Sequence, residues 1–170
     1  MHIVTVVGGA CVGKSALCQQ WSSGIVTSSY MSTITIDHYL LPDLTLHDTP
    51  SSARFHSKLE VYLKSTDVFV LVGNEDMDTD PWWARIHMMV PSASWLFVWT
   101  GTRPCSKRQK WAADHDITVV RVDLNDTDTT EEALSCLRRV ACSHTPRPQR
   151  VPLGYYEYFV GEARLWVPCI

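Results

Sequence analysis

No run of this sequence reaches the roughly 20 successive apolar residues that a membrane-spanning helix needs. Met1-His2-Ile3-Val4 has no basic region ahead of an apolar stretch, so no signal peptide is expected. Lipid anchors are not indicated either. Cys169 is second from the end, where a prenylation signal needs cysteine fourth from it, and Gly does not follow Met1. The six cysteines, Cys11, Cys18, Cys105, Cys136, Cys142 and Cys169, contain no C-x-x-C pair. The histidines, among them His38, His47, His56, His87, His115 and His144, show no metal spacing. Reduced thiols in a cytoplasmic protein are therefore expected. Positive charge is not in excess: the net charge is −3, which gives no reason to expect nucleic acid as a partner. Arg147 and Arg150 are too few for a polybasic membrane anchor. The chain also lacks internal repeats and low-complexity segments.

What the chain does have is an alternation of apolar runs and helical stretches. Its 170 residues suit one domain able to bury a core without disulfides or metal. Residues 3–7 are a continuous β-branched run, as in a buried parallel strand, and residues 67–73, 94–100 and 117–122 read the same way. Residues 33–41 and 44–47 read as an antiparallel hairpin around Pro42-Asp43. Helices are expected over 14–23, 55–65, from Asp80-Pro81 to Pro91, over 106–114 and over 129–142. Asp128 or Thr129 should cap the last, with Glu131 or Glu132 completing a capping box. The pattern implies an α/β fold with a mostly parallel sheet covered on both faces. Residues 1–145 form the expected domain. A linker rich in Pro and Arg follows at 144–150, within a C-terminal segment 146–170 whose aromatic strands 155–160 and 163–166 turn at Gly161-Glu162. Trp82 and Trp83 read as core packing, with a protein-binding patch as the alternative.

One motif carries chemistry. Gly8-Gly9-Ala10-Cys11-Val12-Gly13-Lys14-Ser15 matches G-x-x-x-x-G-K-[ST] between a strand and a helix. Glycines let the backbone wrap phosphates with successive N–H groups pointing inward, and the helix N-terminus favours the anion. In such a phosphate-binding loop Lys14 would reach the β- and γ-phosphates and the Ser15 hydroxyl would bind Mg²⁺.

Residues 4–17 resemble the first strand and phosphate loop of the Ras superfamily of small GTPases. Tyr30-Met31-Ser32-Thr33-Ile34 resembles that family's switch I, and Asp48-Thr49 the start of its D-x-x-G motif. The resemblance implies a Ras-like P-loop NTPase fold with a six-stranded sheet and a Mg²⁺–GTP or Mg²⁺–GDP site. The nucleotide would lie on Gly8, Gly9, Ala10, Cys11, Val12, Gly13, Lys14, Ser15 and Ala16. Ser15, Thr33 and Asp48 would manage the metal, and Lys14 and Thr33 would act on the transferred phosphoryl group. Loops 26–33 and 49–58 would move with the γ-phosphate and meet protein effectors or regulators.

The chain departs from the family at named positions. Ser51 replaces the Gly of D-x-x-G, and Ser52 stands where a Gln orients the attacking water, so slow hydrolysis is expected. Thr100-Gly101-Thr102-Arg103 replaces the guanine-reading N-K-x-D motif. Arg103 is a donor only and cannot accept the guanine N–H groups. Asp123-Leu124-Asn125 replaces the S-A-K segment, and Val26 a base-clamping Phe. The expectation is a nucleotide switch with a weak GTPase activity. The alternatives are a pseudo-GTPase that serves as a protein-interaction module, or a P-loop NTPase of relaxed base choice.

Overall fold

A computed structural model of the chain describes residues 1–26, 32–52, 56–75, 80–103, 106–143, 155–160 and 163–168. The elements run β1 (His2–Gly8), α1 (Lys14–Ser23), β2 (Asp37–Leu40), β3 (Leu44–Asp48), α2 (His56–Ser65), β4 (Val68–Gly73) and α3 (Asp80–Met89). They continue with β5 (Ser94–Trp99), α4 (Ser106–Asp114), β6 (Thr118–Arg121), α5 (Thr127–Ser143), β7 (Tyr155–Val160) and β8 (Ala163–Pro168).

Six strands form one sheet in the order β2-β3-β1-β4-β5-β6, and every pairing in it is parallel except β2 with β3. All six residues of β4 are buried, as are all but the first of β5. Neighbours along a strand point to opposite faces, so burial of every position means that both faces are covered. Val6, Val70, Leu71, Leu96 and Phe97 are fully buried at the centre of this core. The separate β7–β8 pair is antiparallel, with Val160 opposite Ala163.

Topology places the functional edge. From β1 the chain moves to β3 on one side and to β4 on the other, so the strand order reverses direction at β1. Crevices outside the carboxyl ends of strands at such a point are where open α/β sheets bind ligands. The carboxyl ends of the five parallel strands share this edge: Gly8, Asp48, Gly73, Trp99 and Arg121.

Two expectations are corrected. The hairpin's first strand starts at Asp37 rather than at 33. Its register ends with Asp37 opposite Asp48, while the Thr33 hydroxyl turns toward Ser15 and Asp48 instead of joining the ladder. The last helix starts two residues before 129, and Asp126 caps it, its Oδ1 accepting the Asp128 N–H at 3.0 Å. The Thr129 hydroxyl, within hydrogen-bond distance of the Asp123 and Asp126 carbonyls, ties the preceding loop together.

The tryptophans that open α3 pack inward, while nothing is described of the side chains in β7 and β8. Trp82 and Trp83 are half-buried against the core. Trp83 stacks on His87 at 4.6 Å and meets His115 edge-on at 4.1 Å. His38 and His47 face each other across β2 and β3 with Tyr62 beside both. Burial, with His38 nearby, lowers the His47 pKa to about 4, so this ring is neutral at physiological pH. Among the described residues no helix is long and apolar enough to cross a membrane. Tyr30, Met31, the 144–150 linker and the turn at Gly161-Glu162 lie outside the described residues.

Candidate functional site

The loop between β1 and α1 calls for glycine at both of its ends. Gly8 has φ +147°, and a Cβ there would run into the Val72 carbonyl of β4. Gly13, at φ +91°, ends the loop and starts α1, whose N-terminus has no side-chain cap. Cys11 sits exposed at φ 56°, one of two described non-glycine residues in the left-handed region. An uncapped helix start leaves its first N–H groups free for an anion.

A cleft of about 190 Å³ opens over this helix start, lined by residues 11–16 together with Thr33, Thr49 and Ser51. Of the residues expected to hold a nucleotide, Cys11 to Ala16 line it. Gly8, paired beside Val72 of β4, Gly9 and the exposed Ala10 are outside the lining. The Lys14 ammonium, largely buried, donates to the Gly9 carbonyl at 2.6 Å. Burial lowers its pKa, against the pull of the Asp48 carboxylate.

Three distant segments converge beside Lys14. The Ser15 hydroxyl donates to Asp48 Oδ2 at 2.5 Å and lies 3.1 Å from the Thr33 hydroxyl, which itself reaches Asp48 Oδ2 at 3.4 Å. Asp48 is fully buried at the end of β3, and its other oxygen, Oδ1, has no hydrogen-bond partner among the described residues. Burial raises its pKa, while the Ser15 hydrogen bond and Lys14 oppose the rise. Its neighbour Thr49 turns away, its hydroxyl donating to the Val6 carbonyl at 2.7 Å. No three His, Cys, Asp or Glu side chains gather as a metal cluster among the described residues. The donor set here is one carboxylate and two hydroxyls. These are hard oxygens, which suit Mg²⁺ when phosphate oxygens and water complete the shell.

The loops that flank the cleft are bound to the protein itself. The Thr100 hydroxyl is within hydrogen-bond distance of the Val12 carbonyl, at 2.9 Å, and the Gly73 carbonyl, at 3.2 Å. Gly101 is buried, and a Cβ on it would clash with Trp99 and Glu75. Glu75 Oε1 accepts the Arg103 N–H at 2.9 Å and the Thr102 hydroxyl at 3.2 Å, and the Arg103 N–H is the chief reason that its pKa is lowered. The Trp99 indole N–H donates to the Arg103 carbonyl, and Arg121 donates to the Thr102 carbonyl. Leu124 lies over Gly13 from the β6–α5 loop. Reading the sequence did not single out Glu75, because it stands in a stretch with no motif or periodicity.

Neither a comparison with protein-family models nor a search of curated proteins finds a match for this chain.

Proposed function

We propose that this chain is a small GTPase-like nucleotide switch that holds the phosphates of GTP or GDP, with Mg²⁺, on its Gly-rich P-loop and hydrolyses the triphosphate slowly. The observation that carries this reading is the convergence of Ser15, Thr33 and Asp48, from three separate segments, beside Lys14 and an uncapped helix start.

The phosphates would lie on the backbone N–H groups that open α1, where the helix dipole favours negative charge. The Lys14 ammonium would exchange the Gly9 carbonyl for a phosphate oxygen. Ser15, Thr33 and Asp48 would hold Mg²⁺, with Asp48 Oδ1, which has no partner among the described residues, as an acceptor in reserve. Bound there, Mg²⁺ would offset phosphate charge. Because Thr33 belongs to a loop and Asp48 to the sheet, a ligand that ties the two together biases the loop's position, which is what a switch requires. Hydrolysis is slow in this reading because Ser52 offers a short hydroxyl where a longer amide would orient water.

Calorimetry on nucleotide-free protein tests the proposal. Mg²⁺–GTP and Mg²⁺–GDP should bind, and Lys14→Ala should weaken both by about 100-fold or more, as loss of a charge-assisted contact in a buried site implies. Absence of binding at millimolar nucleotide would leave the interaction-module reading in its place.

A further inference from the structure

We infer that Thr49 is a positioning residue for the metal half of this site: its hydroxyl fixes the end of β3 against β1 so that Asp48 stands beside Ser15. The inference rests on the Mg²⁺–phosphate reading above. Thr49 follows Asp48 directly and is fully buried, and its hydroxyl donates to the Val6 carbonyl at 2.7 Å. Val6 is the residue of β1 that lies opposite Asp48 in the parallel register, two positions before Gly8.

The ladders around β3 end at Asp48. Its register with β1 stops at the Val6 pair, and its register with β2 reaches no further than Asp37 opposite Asp48. Pro50 has no N–H, so it cannot prolong either ladder. Thr49 instead ties the end of β3 to β1 through its side chain, at the root of the Gly-rich loop.

The two halves of the site have different supports. The phosphates would lie on the N–H groups that open α1 and on Lys14, all within the β1–α1 segment itself. The metal half is assembled across the chain, with Ser15 on α1, Thr33 ahead of β2 and Asp48 on β3. Whether Asp48 Oδ2 meets the Ser15 hydroxyl, at 2.5 Å, depends on where the end of β3 sits against β1. Mg²⁺ demands near-ideal octahedral geometry, so a displaced carboxylate weakens it. Without the Thr49 hydroxyl the buried Val6 carbonyl is also short of one donor, which favours separation of the two strand ends. Loss of this hydroxyl should therefore weaken the metal and spare the phosphates.

The experiment is calorimetric titration of nucleotide-free protein with GDP, once with Mg²⁺ and once with EDTA, alongside melting curves. Wild-type protein should bind GDP more tightly with Mg²⁺. Thr49→Val should cut that metal-dependent gain by about tenfold or more, as removal of a group that orients a metal ligand does, and leave the affinity in EDTA unchanged. Thr49→Ser keeps the hydroxyl and should retain the gain. An equal loss with and without Mg²⁺ overturns the inference, because general loosening of the cleft weakens both. So does a full gain in Thr49→Val, or a Thr49→Ser that behaves like Thr49→Val. If Thr49→Val does not fold, Thr49→Ala removes the hydroxyl without setting a methyl group against the Val6 carbonyl and carries the same expectation. Wild-type protein that binds GDP equally with and without Mg²⁺ overturns this inference and leaves phosphate binding standing. Wild-type protein that binds GDP in neither condition overturns both.

Discussion

At the scale of single residues, the cleft depends on backbone conformations as much as on charged groups. Gly8 is the clearest case, since its φ of +147° and the Val72 carbonyl beside it together exclude any side chain. Gly8→Ala should lower stability by about 3 kcal/mol or more, through combined strain and overlap with backbone that cannot move aside. Denaturant unfolding of the variant checks this; a loss under about 1 kcal/mol would mean that β1 and β4 separate easily. The turn between β1 and α1 was legible in the sequence because glycines crowd there between an apolar strand and a helical stretch. Lys14 and Ser15 open α1, whose start at 14 was expected. Thr33 and Asp48 were legible only through resemblance, because a threonine and an aspartate near strand ends are common. Glu75 could not be found at all, since its partners, the Thr102 hydroxyl and the Arg103 backbone N–H, become its neighbours only after β4 and β5 pair.

At the scale of elements, continuous apolar runs identified β1, β4 and β5 well, and the helices over 14–23 and 106–114 begin and end where expected. The misjudged boundaries have local causes. Asp126-Thr127-Asp128-Thr129 offers four successive residues able to cap a helix, and propensity alone does not choose among them. The choice of Asp126 gives a testable contrast. Asp126→Ala removes an acceptor for the Asp128 N–H and should cost about 1 kcal/mol. Arg138→Ala breaks the exposed contact between α5 and Asp43 and should cost about 0.5 kcal/mol or less, because solvent screens such pairs. Thermal melts of the two variants side by side decide it, and equal losses would show that Asp126 is not the working cap. The shortened β2 has a different origin. Its alternating composition looked like strand as far back as residue 33, but the position beside Asp48 and Ser15 competes for Thr33.

At the scale of the whole molecule, four cysteines report on its closure. Cys11 and Cys142 are exposed, and Cys18 and Cys136 are buried. Burial also pushes the Cys18 thiol well above its ordinary pKa, which holds it in the unreactive protonated form. Brief maleimide treatment of native protein, mapped by mass spectrometry, should label Cys11 and Cys142 and spare Cys18 and Cys136 until denaturant is added. Under the proposed function, Mg²⁺–GTP should protect Cys11 and leave Cys142 unchanged. Early labelling of Cys18 would contradict the packing of α1 against the sheet. Overall architecture was legible because strand and helix alternate in a chain of one-domain length. The order of the strands was not, since apolar runs of similar composition say nothing about which of them lie side by side.

That order has a consequence for how the protein is made. Within the six-stranded sheet β1 is translated first, yet its two neighbours are β3 and β4, completed only when the chain has reached Gly73. Until then an apolar ribbon with open hydrogen-bonding edges has left the ribosome without its permanent neighbours. Parallel pairing across such intervals is slow and leaves sticky surface uncovered. The same strand that presents the Gly-rich loop in the finished molecule thus waits longest, among the strands of the sheet, for its permanent neighbours.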